Sequence, residues 1–207
     1  HLSRMMCPKH LSETIALVKK LLKDENCKII RVIATQLIEA GVDIDFPVVF
    51  RQEAGLDSIL QAAGRCNREG KLAMGTTYVF KLHRPLPLGY ISNSVDAQTT
   101  LLQTQPDADW FAPETMRSFF VQLYSRTQNF DKADIRTLLY KPRELCFKTA
   151  ALNFHLIENE GKGIIVNYDD SLSLVEELKQ KGPNYLLMKR LGQYMVHVHD
   201  RDFNMLL

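Results

Sequence analysis

The sequence predicts an α/β protein whose first part is built around a parallel sheet. Three short runs rich in β-branched and aromatic residues are typical of strands, at 28–35, 46–50 and 76–82. Before and between them, segments 11–23 and 56–68 carry apolar residues at helical spacing. Because alternating strands and helices are typical of βαβ units, we expect the strands to run parallel and to be buried.

The first predicted helix, 11–23, is amphipathic. Its apolar face carries Ile15, Val18, Leu21 and Leu22. Ser12 or Thr14 lies near the start and is a candidate cap for the helix.

The pattern changes after Pro85 and Pro87. Helical segments are predicted at 95–104 and 113–126. The last third mixes helices at about 143–156, 171–180 and 184–191 with strands at 163–168 and 193–199 and a helical tail. We expect three regions: a parallel-sheet lobe at 1–87, a helical linker at 88–142 and a small accessory α+β region at 143–207.

The composition is that of an ordinary globular protein. The 207 residues are 45% hydrophobic and 24% charged, and 26 basic against 24 acidic residues leave a net charge of +2. A nucleic-acid contact would therefore need a local basic groove. No apolar run approaches the ~20 residues of a membrane helix. The four cysteines lack metal-site spacing, which favours a reducing cytoplasm. The chain opens at His1 rather than at a methionine, and we expect a piece of a longer protein. No signal-peptide pattern follows the first residue.

The segment 56–68 combines a buried side with a polar stripe. If it is helical throughout, Gln61, Arg65 and Arg68 stand on one stripe. The opposite side carries Leu56, Ile59, Leu60 and Ala63. Guanidinium groups stay charged and can bind phosphate oxygens bidentately, so the stripe suits a phosphate chain. The alternative is a solvated arginine pair with no ligand.

A second candidate segment follows the strand predicted at 28–35. Thr35, Gly41 and Asp43 lie where the chain leaves the strand, and open α/β sheets bind ligands at such ends. Thr35 can donate to a phosphate, and Gly41 permits close approach of a ligand to the backbone. Asp43 can accept from a ribose hydroxyl or orient an arginine. The alternative for Asp43 is a turn or cap residue.

The two segments together carry a family resemblance. ATQLIEAGVDID at 34–45 and QAAGRCNREG at 61–70 resemble, in this order and spacing, motifs V and VI of superfamily 2 helicases. The sequence of these two segments over their full length is similar to the type I CRISPR-associated helicase–nuclease family. The opening 1–10 resembles the region of motif IV in that family, and 194–207 resembles its C-terminal region.

The resemblance implies that residues 1–87 form most of a second RecA-like lobe, with ATP bound in a cleft against a first lobe. It assigns catalysis to Gln61, Arg65 and Arg68, nucleotide binding to Gly41 and Asp43, and contact with the DNA backbone to Thr35. The cofactors implied are ATP and Mg²⁺, held mainly by the first lobe. A metal site within this chain is not expected.

The implied whole protein is an ATP-dependent single-stranded-DNA translocase that degrades foreign DNA in CRISPR interference. Its implied partners are single-stranded DNA, the CRISPR interference complex with guide RNA, and the first helicase lobe and nuclease domain of the same protein, with no membrane. Two alternatives stay open: another superfamily 2 helicase acting on DNA or RNA, or a non-catalytic nucleic-acid-binding adaptor.

The chain lacks the sequence that usually cradles nucleotide phosphates. No G-x-x-x-x-G-K-[ST] loop occurs in the sequence. An Asp-Glu pair in the sequence context that positions Mg²⁺ in such enzymes is also absent from the sequence. We therefore expect the chain alone to be inactive as an ATPase.

A loosely basic stretch at 130–148 is the candidate DNA contact outside the lobe. Arg136 and Arg143 are its arginines, and lysines and aromatic residues are interleaved with them. Such a composition suits single-stranded DNA, although the aromatics could equally form a core. Asp169 and Asp170 are interpreted as helix-capping residues rather than paired acids. His197 and His199 are interpreted as one face of a half-exposed strand rather than metal ligands.

Overall fold

The fold was obtained as a computed structural model, which describes residues 1–24, 26–27, 29–39, 41–127, 129–140, 144–155 and 161–206. The chain divides into two compact units. The first unit comprises residues 1–47, 65–75 and 159–207, and the second comprises 48–64 and 76–158. The expected region bounds at residues 87 and 142 stay predictions.

The second unit contains the parallel strand pair that the sequence predicts. β1 (Val48–Gln52) and β2 (Thr76–Phe80) run parallel, with Phe50 opposite Tyr78. Helix α2 (Leu56–Ala63) connects onto this pair and packs against both strands. The mixed α/β class and the parallel pairing are therefore confirmed, with a small sheet.

One face of this sheet is exposed, against the expectation of buried strands. The rings of Phe50 and Tyr78 stack with centroids 5.0 Å apart, and Phe50 is 67% exposed. Residues paired across the strands share a face, so the exposed side also carries Val48 and Phe80. Within the second unit, α2 supplies two of the buried apolar side chains, Leu56 and Ile59, and its packing leaves this other face uncovered.

The helical part of the second unit agrees well with the sequence. It contains α3 (Tyr90–Thr104), α4 (Pro113–Ser125), α5 (Ile135–Leu139) and α6 (Phe147–Asn153). The prediction for 143–156 was too long, since α6 is shorter. The core of this unit is formed by Leu56, Ala97, Leu101, Phe119 and Leu123. Helices α2, α3 and α4 are thereby held in one cluster.

In the first unit, the amphipathic helix is confirmed but begins earlier. α1 spans Pro8–Leu22 and buries Val18. Proline fits the first turn because the amide hydrogen it lacks has no partner there. The expected cap at Ser12 or Thr14 was therefore wrong, since both lie inside the helix, and the Thr14 hydroxyl donates to the His10 carbonyl.

The strand predicted at 28–35 does not form over the described residues of that segment. A single parallel bridge joins Leu2 to Ala34, with the Leu2 amide donating to Ile33 and the Thr35 amide donating to Leu2. A strand requires hydrogen bonds along its length, and this segment pairs at one position. Ile33 is accordingly 79% exposed rather than buried. A short 3₁₀ turn, Gln36–Ile38, follows.

The final segment of the first unit is the small α+β arrangement that the sequence predicts. β3 (Lys162–Ile165) pairs antiparallel with β4 (Met195–Val198), and α7 (Ser171–Lys181) and α8 (Tyr185–Leu191) lie between them in sequence. A short helix, α9 (Asp200–Asn204), follows. The core consists of Cys7, Leu174, Leu187, Leu191, Tyr194, Val196 and Val198. Because Cys7 belongs to this core, the first residues of the chain pack with the last.

Across the parts of the chain that the structure describes, every helix is too short or too polar to cross a lipid bilayer.

Candidate functional site

The arginine-bearing segment is not helical where a helix was expected. α2 ends at Ala63, Gly64 follows as its cap, and Arg65 and Arg68 lie in the turns beyond. Two hydrogen bonds explain the early end: the Phe46 amide donates to the Arg65 carbonyl, and the Asn67 amide donates to the Phe46 carbonyl. These bonds hold the segment in a parallel bridge with residue 46 instead of a helix. The predicted helical stripe was therefore wrong: Gln61 lies on α2 in the second unit, and both arginines lie in the first.

The first unit nevertheless brings the two candidate segments together. The Arg65 guanidinium donates through Nε to the Ile38 carbonyl over 3.0 Å and through Nη2 to the Glu39 carbonyl over 2.7 Å. Both carbonyls belong to the turn that follows Thr35. Arg65 is half-buried and fastens one candidate segment to the other.

Arg68 contacts the second segment from the solvent side. Its Nη1 lies 3.3 Å from Oδ1 of Asp43, with 44% of the Arg68 side chain and 74% of the Asp43 side chain exposed. This geometry matches one of the two roles considered for Asp43, orienting an arginine. Exposed ion pairs contribute only about 0–1 kcal/mol of stability. Another anion can therefore replace Asp43 as the partner of the Arg68 guanidinium.

Asp45 is a contributor that the sequence motifs did not single out. Its Oδ1 accepts a hydrogen bond from the Arg68 amide at 2.7 Å, and its Oδ2 lies 3.4 Å from the Glu69 amide nitrogen. The signal available in the sequence was the D-I-D spacing at 43–45, which places two carboxylates on one side of an extended segment.

Asn67 is a second residue that was missed. It has a positive φ of 49°, which asparagine tolerates better than most residues. Its side chain donates to the Leu72 carbonyl and accepts from the Leu72 amide. The loop 65–72 is therefore closed by a side chain as well as by its backbone.

The remaining predicted residues of this segment are accessible. Gly41 has φ +75°, and a Cβ added there would meet no atom within 4 Å. Thr35 is exposed, and its amide is occupied by the Leu2 carbonyl. Both remain predictions as ligand-contacting residues.

A pocket of about 290 Å³ lies beside these loops in the first unit. Its wall carries residues of α1, of the segment 43–47 and of the loop 65–72. The charged members are Lys19, Lys23, Asp43, Asp45, Glu69 and Lys71. Carboxylates and ammonium groups of both signs therefore surround it.

A separate polar cluster links the start of the chain to its final segment. Lys9 donates to Asp169 and to the Tyr194 hydroxyl, and the Tyr194 hydroxyl donates to Asp170. The hydrogen bond with Asp169 and that with Tyr194 raise the pKa of Lys9. Nearby, a hydrogen bond to Glu13 raises the pKa of Tyr168 to about 12.

This cluster corrects the interpretation of the acidic pair. Asp170 occupies the cap position of α7, yet its side chain makes no capping hydrogen bond. Its carboxylate is instead used by Tyr194, and Lys9 Nζ lies 3.6 Å away. The pair joins the start of α7 to α1 and to the 3₁₀ turn Gly192–Tyr194 that precedes β4, rather than capping a helix.

The Tyr194 hydrogen bond, together with the Lys9 charge, lowers the pKa of Asp170. A carboxyl group with a lowered pKa binds fewer protons in the folded state than in the unfolded state. It therefore stabilises the fold above its ordinary pKa, and this stabilisation disappears as the pH falls. We expect Asp170→Asn to lower the urea midpoint near neutral pH, and the difference from wild type to shrink towards about pH 3. A difference of equal size at both pH values would contradict this assignment.

The described residues of the basic stretch at 130–148 are largely exposed. Phe130, Tyr140 and Phe147 project into solvent, so the alternative that they form a core was wrong. Arg136 is exposed, and its amide donates to Asp131, which caps α5 by a second bond to the Ile135 amide. Arg143 lies outside the described residues.

The two histidines near the end lie where the strand interpretation places them. Val196 and Val198 are buried on one face of β4, while His197 and His199 are exposed. Within the described ranges, no group of three or more His, Cys, Asp or Glu side chains is arranged to hold a metal ion.

Comparison with known proteins covers both candidate segments of the first unit. Residues 2–71 match the family model for the C-terminal part of the CRISPR-associated nuclease/helicase Cas3. A stretch of 36 residues is 69% identical to the CRISPR-associated nuclease/helicase Cas3 of Haloferax volcanii, covering 17% of this chain and 4% of that protein. The crystal structure of T. fusca Cas3-ATP aligns with 73% of this chain and 19% of that one, at 19% identity and a TM-score of 0.44.

Residues 2–71, which include both candidate segments, are the part of this chain that is similar to the C-terminal part of the Cas3 nuclease/helicases. The chain spans only a small part of the relatives it matches, 4% of one and 19% of the other.

Proposed function

We propose that this chain supplies the second RecA-like lobe and the C-terminal accessory region of an ATP-dependent single-stranded-DNA translocase. The first lobe and the nuclease domain would belong to the same protein. The whole would act in the cytoplasm with the CRISPR interference complex and its guide RNA, and would degrade foreign DNA. The proposal follows from the Cas3 family match over residues 2–71.

The contact between the two loops is the observation that carries the ATP part of this proposal. Arg68 lies at the surface with Asp43 as its exposed partner, while Arg65 holds the adjoining turn. A phosphate chain offers more negative charge than one carboxylate and can displace Asp43 from Arg68. Gly41 leaves room beside them. These residues suit a triphosphate approaching from solvent.

In this proposal the arginines contribute by electrostatic stabilisation and form no covalent bond. Arg68 would neutralise the charge that develops on the transferred phosphoryl group, with Arg65 and Gln61 in the supporting catalytic roles that the family resemblance implies. Asp43 would be released to a ribose hydroxyl. Mg²⁺ would be held mainly by the first lobe, as the family resemblance implies.

ATP turnover tests the proposal. We expect the complete helicase to hydrolyse ATP at ~1 s⁻¹ or faster, an ordinary enzyme rate, when single-stranded DNA and Mg²⁺ are present. We expect the 207-residue chain alone to show no turnover under the same conditions, since its sequence has no phosphate loop. Phosphate release by the isolated chain that persisted after further purification would refute the division of the site between two lobes.

We further propose that Thr35, Arg136 and Arg143 contact single-stranded DNA. The exposure of Arg136 and of the aromatic rings around it supports this role, because lysine and arginine meet phosphates while aromatic rings stack on bases. Lys132 and Lys148 are also exposed. The described part of 130–148 therefore presents both kinds of side chain to solvent.

A salt series measures this interaction with DNA. Removing one phosphate-binding side chain should flatten the log–log salt dependence of single-strand binding by ~0.7. We expect Arg136→Ala with Arg143→Ala, in the complete helicase, to weaken DNA binding, reduce the slope and spare ATP affinity. Glu114→Ala, a charge change at the first turn of α4, is the control. An unchanged slope would place these arginines outside the DNA interface.

A further inference from the structure

The main chain of Arg68 is held by a carboxylate. Asp45 Oδ1 lies 2.7 Å from the Arg68 amide nitrogen, and Asp45 Oδ2 lies 3.4 Å from the next amide nitrogen, that of Glu69. Hydrogen bonds to a charged acceptor are shorter and stronger than neutral ones. The direction in which the Arg68 side chain leaves the backbone is therefore tied to Asp45.

Ile44 fixes where the two neighbouring carboxylates point. It is buried, at 3% exposure, between Asp43 and Asp45. Side chains alternate sides along an extended segment, so burial of Ile44 leaves both flanking carboxylates on the other side. The contacts agree, because Asp43 meets the Arg68 guanidinium and Asp45 meets its amide.

The loop is also anchored on both sides of Arg68. The bridge between Phe46 and Cys66 fixes the chain just before it. The Asn67 side chain binds both backbone groups of Leu72 and closes the chain after it. Asp45 binds the backbone between these two anchors, at Arg68, the residue whose side-chain direction is important for contact with a phosphate.

We propose that Asp45 is a positioning residue that sets the direction in which the Arg68 side chain points. It does not touch the phosphates but holds the amide of the residue whose charge is offered to them. Asp43 has the different task of pairing with the guanidinium until an anion replaces it. The inference rests on the proposed function only in naming a phosphate chain as the target of Arg68.

Amide hydrogen exchange in the 207-residue chain tests directly whether the Asp45 carboxylate clamps the Arg68 amide. We expect Asp45→Ala to speed exchange of the Arg68 amide about tenfold or more, the change expected when a hydrogen bond to a charged group is removed. Asp45→Asn keeps one carbonyl oxygen and should restore part of the protection. Asp43→Ala is the matched control, because it removes a carboxylate from the same segment without touching that amide. Unchanged exchange in both Asp45 variants would overturn the proposal.

Turnover in the complete helicase tests what the clamp is for. We expect Asp45→Ala to lower kcat for ATP hydrolysis about tenfold with little change in KM, because the direction of the Arg68 side chain affects the transition state more than ATP binding. Asp45→Asn should recover part of the activity. Glu176→Ala removes an exposed carboxylate on α7 that pairs with Lys179 at 2.7 Å, and should leave turnover unchanged.

The two measurements separate this inference from the proposed function. A wild-type complete helicase without ATP turnover would overturn the proposed function, while the exchange data would still decide whether Asp45 clamps the loop. Normal turnover by Asp45→Ala in an active helicase that depends on Arg68 would overturn the positioning role.

Discussion

Arg68→Ala is expected to lower the rate of ATP hydrolysis by the complete helicase by about 10³–10⁵-fold, the contribution of arginine fingers in other phosphoryl-transfer enzymes. ATP binding should change far less, because the charge is most useful in the transition state. The exposed position of Arg68 and its exposed ion pair with Asp43 leave this side chain able to move to a phosphate. Steady-state phosphate release and an equilibrium binding titration provide the two measurements.

Lysine is the informative second substitution at this position. It keeps the positive charge but not the planar fork, so Arg68→Lys should rescue poorly. Near-normal turnover by Arg68→Ala would show that the arginine is only a solvated surface residue.

Arg65→Ala is also expected to suppress hydrolysis more than binding, but it removes a second property. Its two hydrogen bonds to the carbonyls of Ile38 and Glu39 hold the neighbouring loop in place. The folding of this variant therefore has to be compared with wild type by circular dichroism before its turnover is interpreted.

Leu191→Ala is expected to lower the free energy of unfolding of the first unit by about 2–5 kcal/mol, the usual range for a buried leucine replaced by alanine. Leu191 is 0% exposed and packs with Leu174, Leu187 and Tyr194. The change leaves a cavity at the junction of α7, α8 and β4. Such a decrease is large beside the ~5–15 kcal/mol of total stability that is typical of a domain.

Leu186→Ala is the matched control, because Leu186 lies on the same helix and is 70% exposed. It should change stability by no more than about 0.5 kcal/mol. Urea unfolding followed by circular dichroism measures both variants. Equal effects of the two substitutions would mean that α8 does not pack as described.

The sequence was sufficient for those elements whose local pattern and tertiary packing agree. Helices α1, α3, α4, α7 and α8 and the parallel pairing of β1 with β2 were predicted in this way. The family resemblance assigned residues of the segments 34–45 and 61–70 to one nucleotide site, and these roles stay predictions. The hydrogen bonds from Arg65 to the turn after Thr35 are a contact that the sequence did not predict.

The errors arise where distant hydrogen bonds override a local pattern. Helical spacing continues past Ala63, yet bonds between Phe46 and the segment 65–67 draw the backbone away from a helix. The β-branched run at 28–35 lacks pairing along its length, and propensity alone cannot supply it. Asp45 was overlooked because its partners are backbone amides 23 and 24 positions away. The D-I-D spacing places its carboxylate on the same side as that of Asp43 but does not reveal those partners.

The joining of Cys7 and Lys9 to the final segment has a consequence for how the protein is made. The bond from Lys9 to the Tyr194 hydroxyl spans 185 positions. Ribosomes add ~5–20 residues per second, so α1 waits about 10–40 s for these partners to emerge. During that interval Cys7 lacks the core contributed by α7, α8 and β4. Nascent chains arrested before Tyr194 should therefore be the species most dependent on chaperones during synthesis.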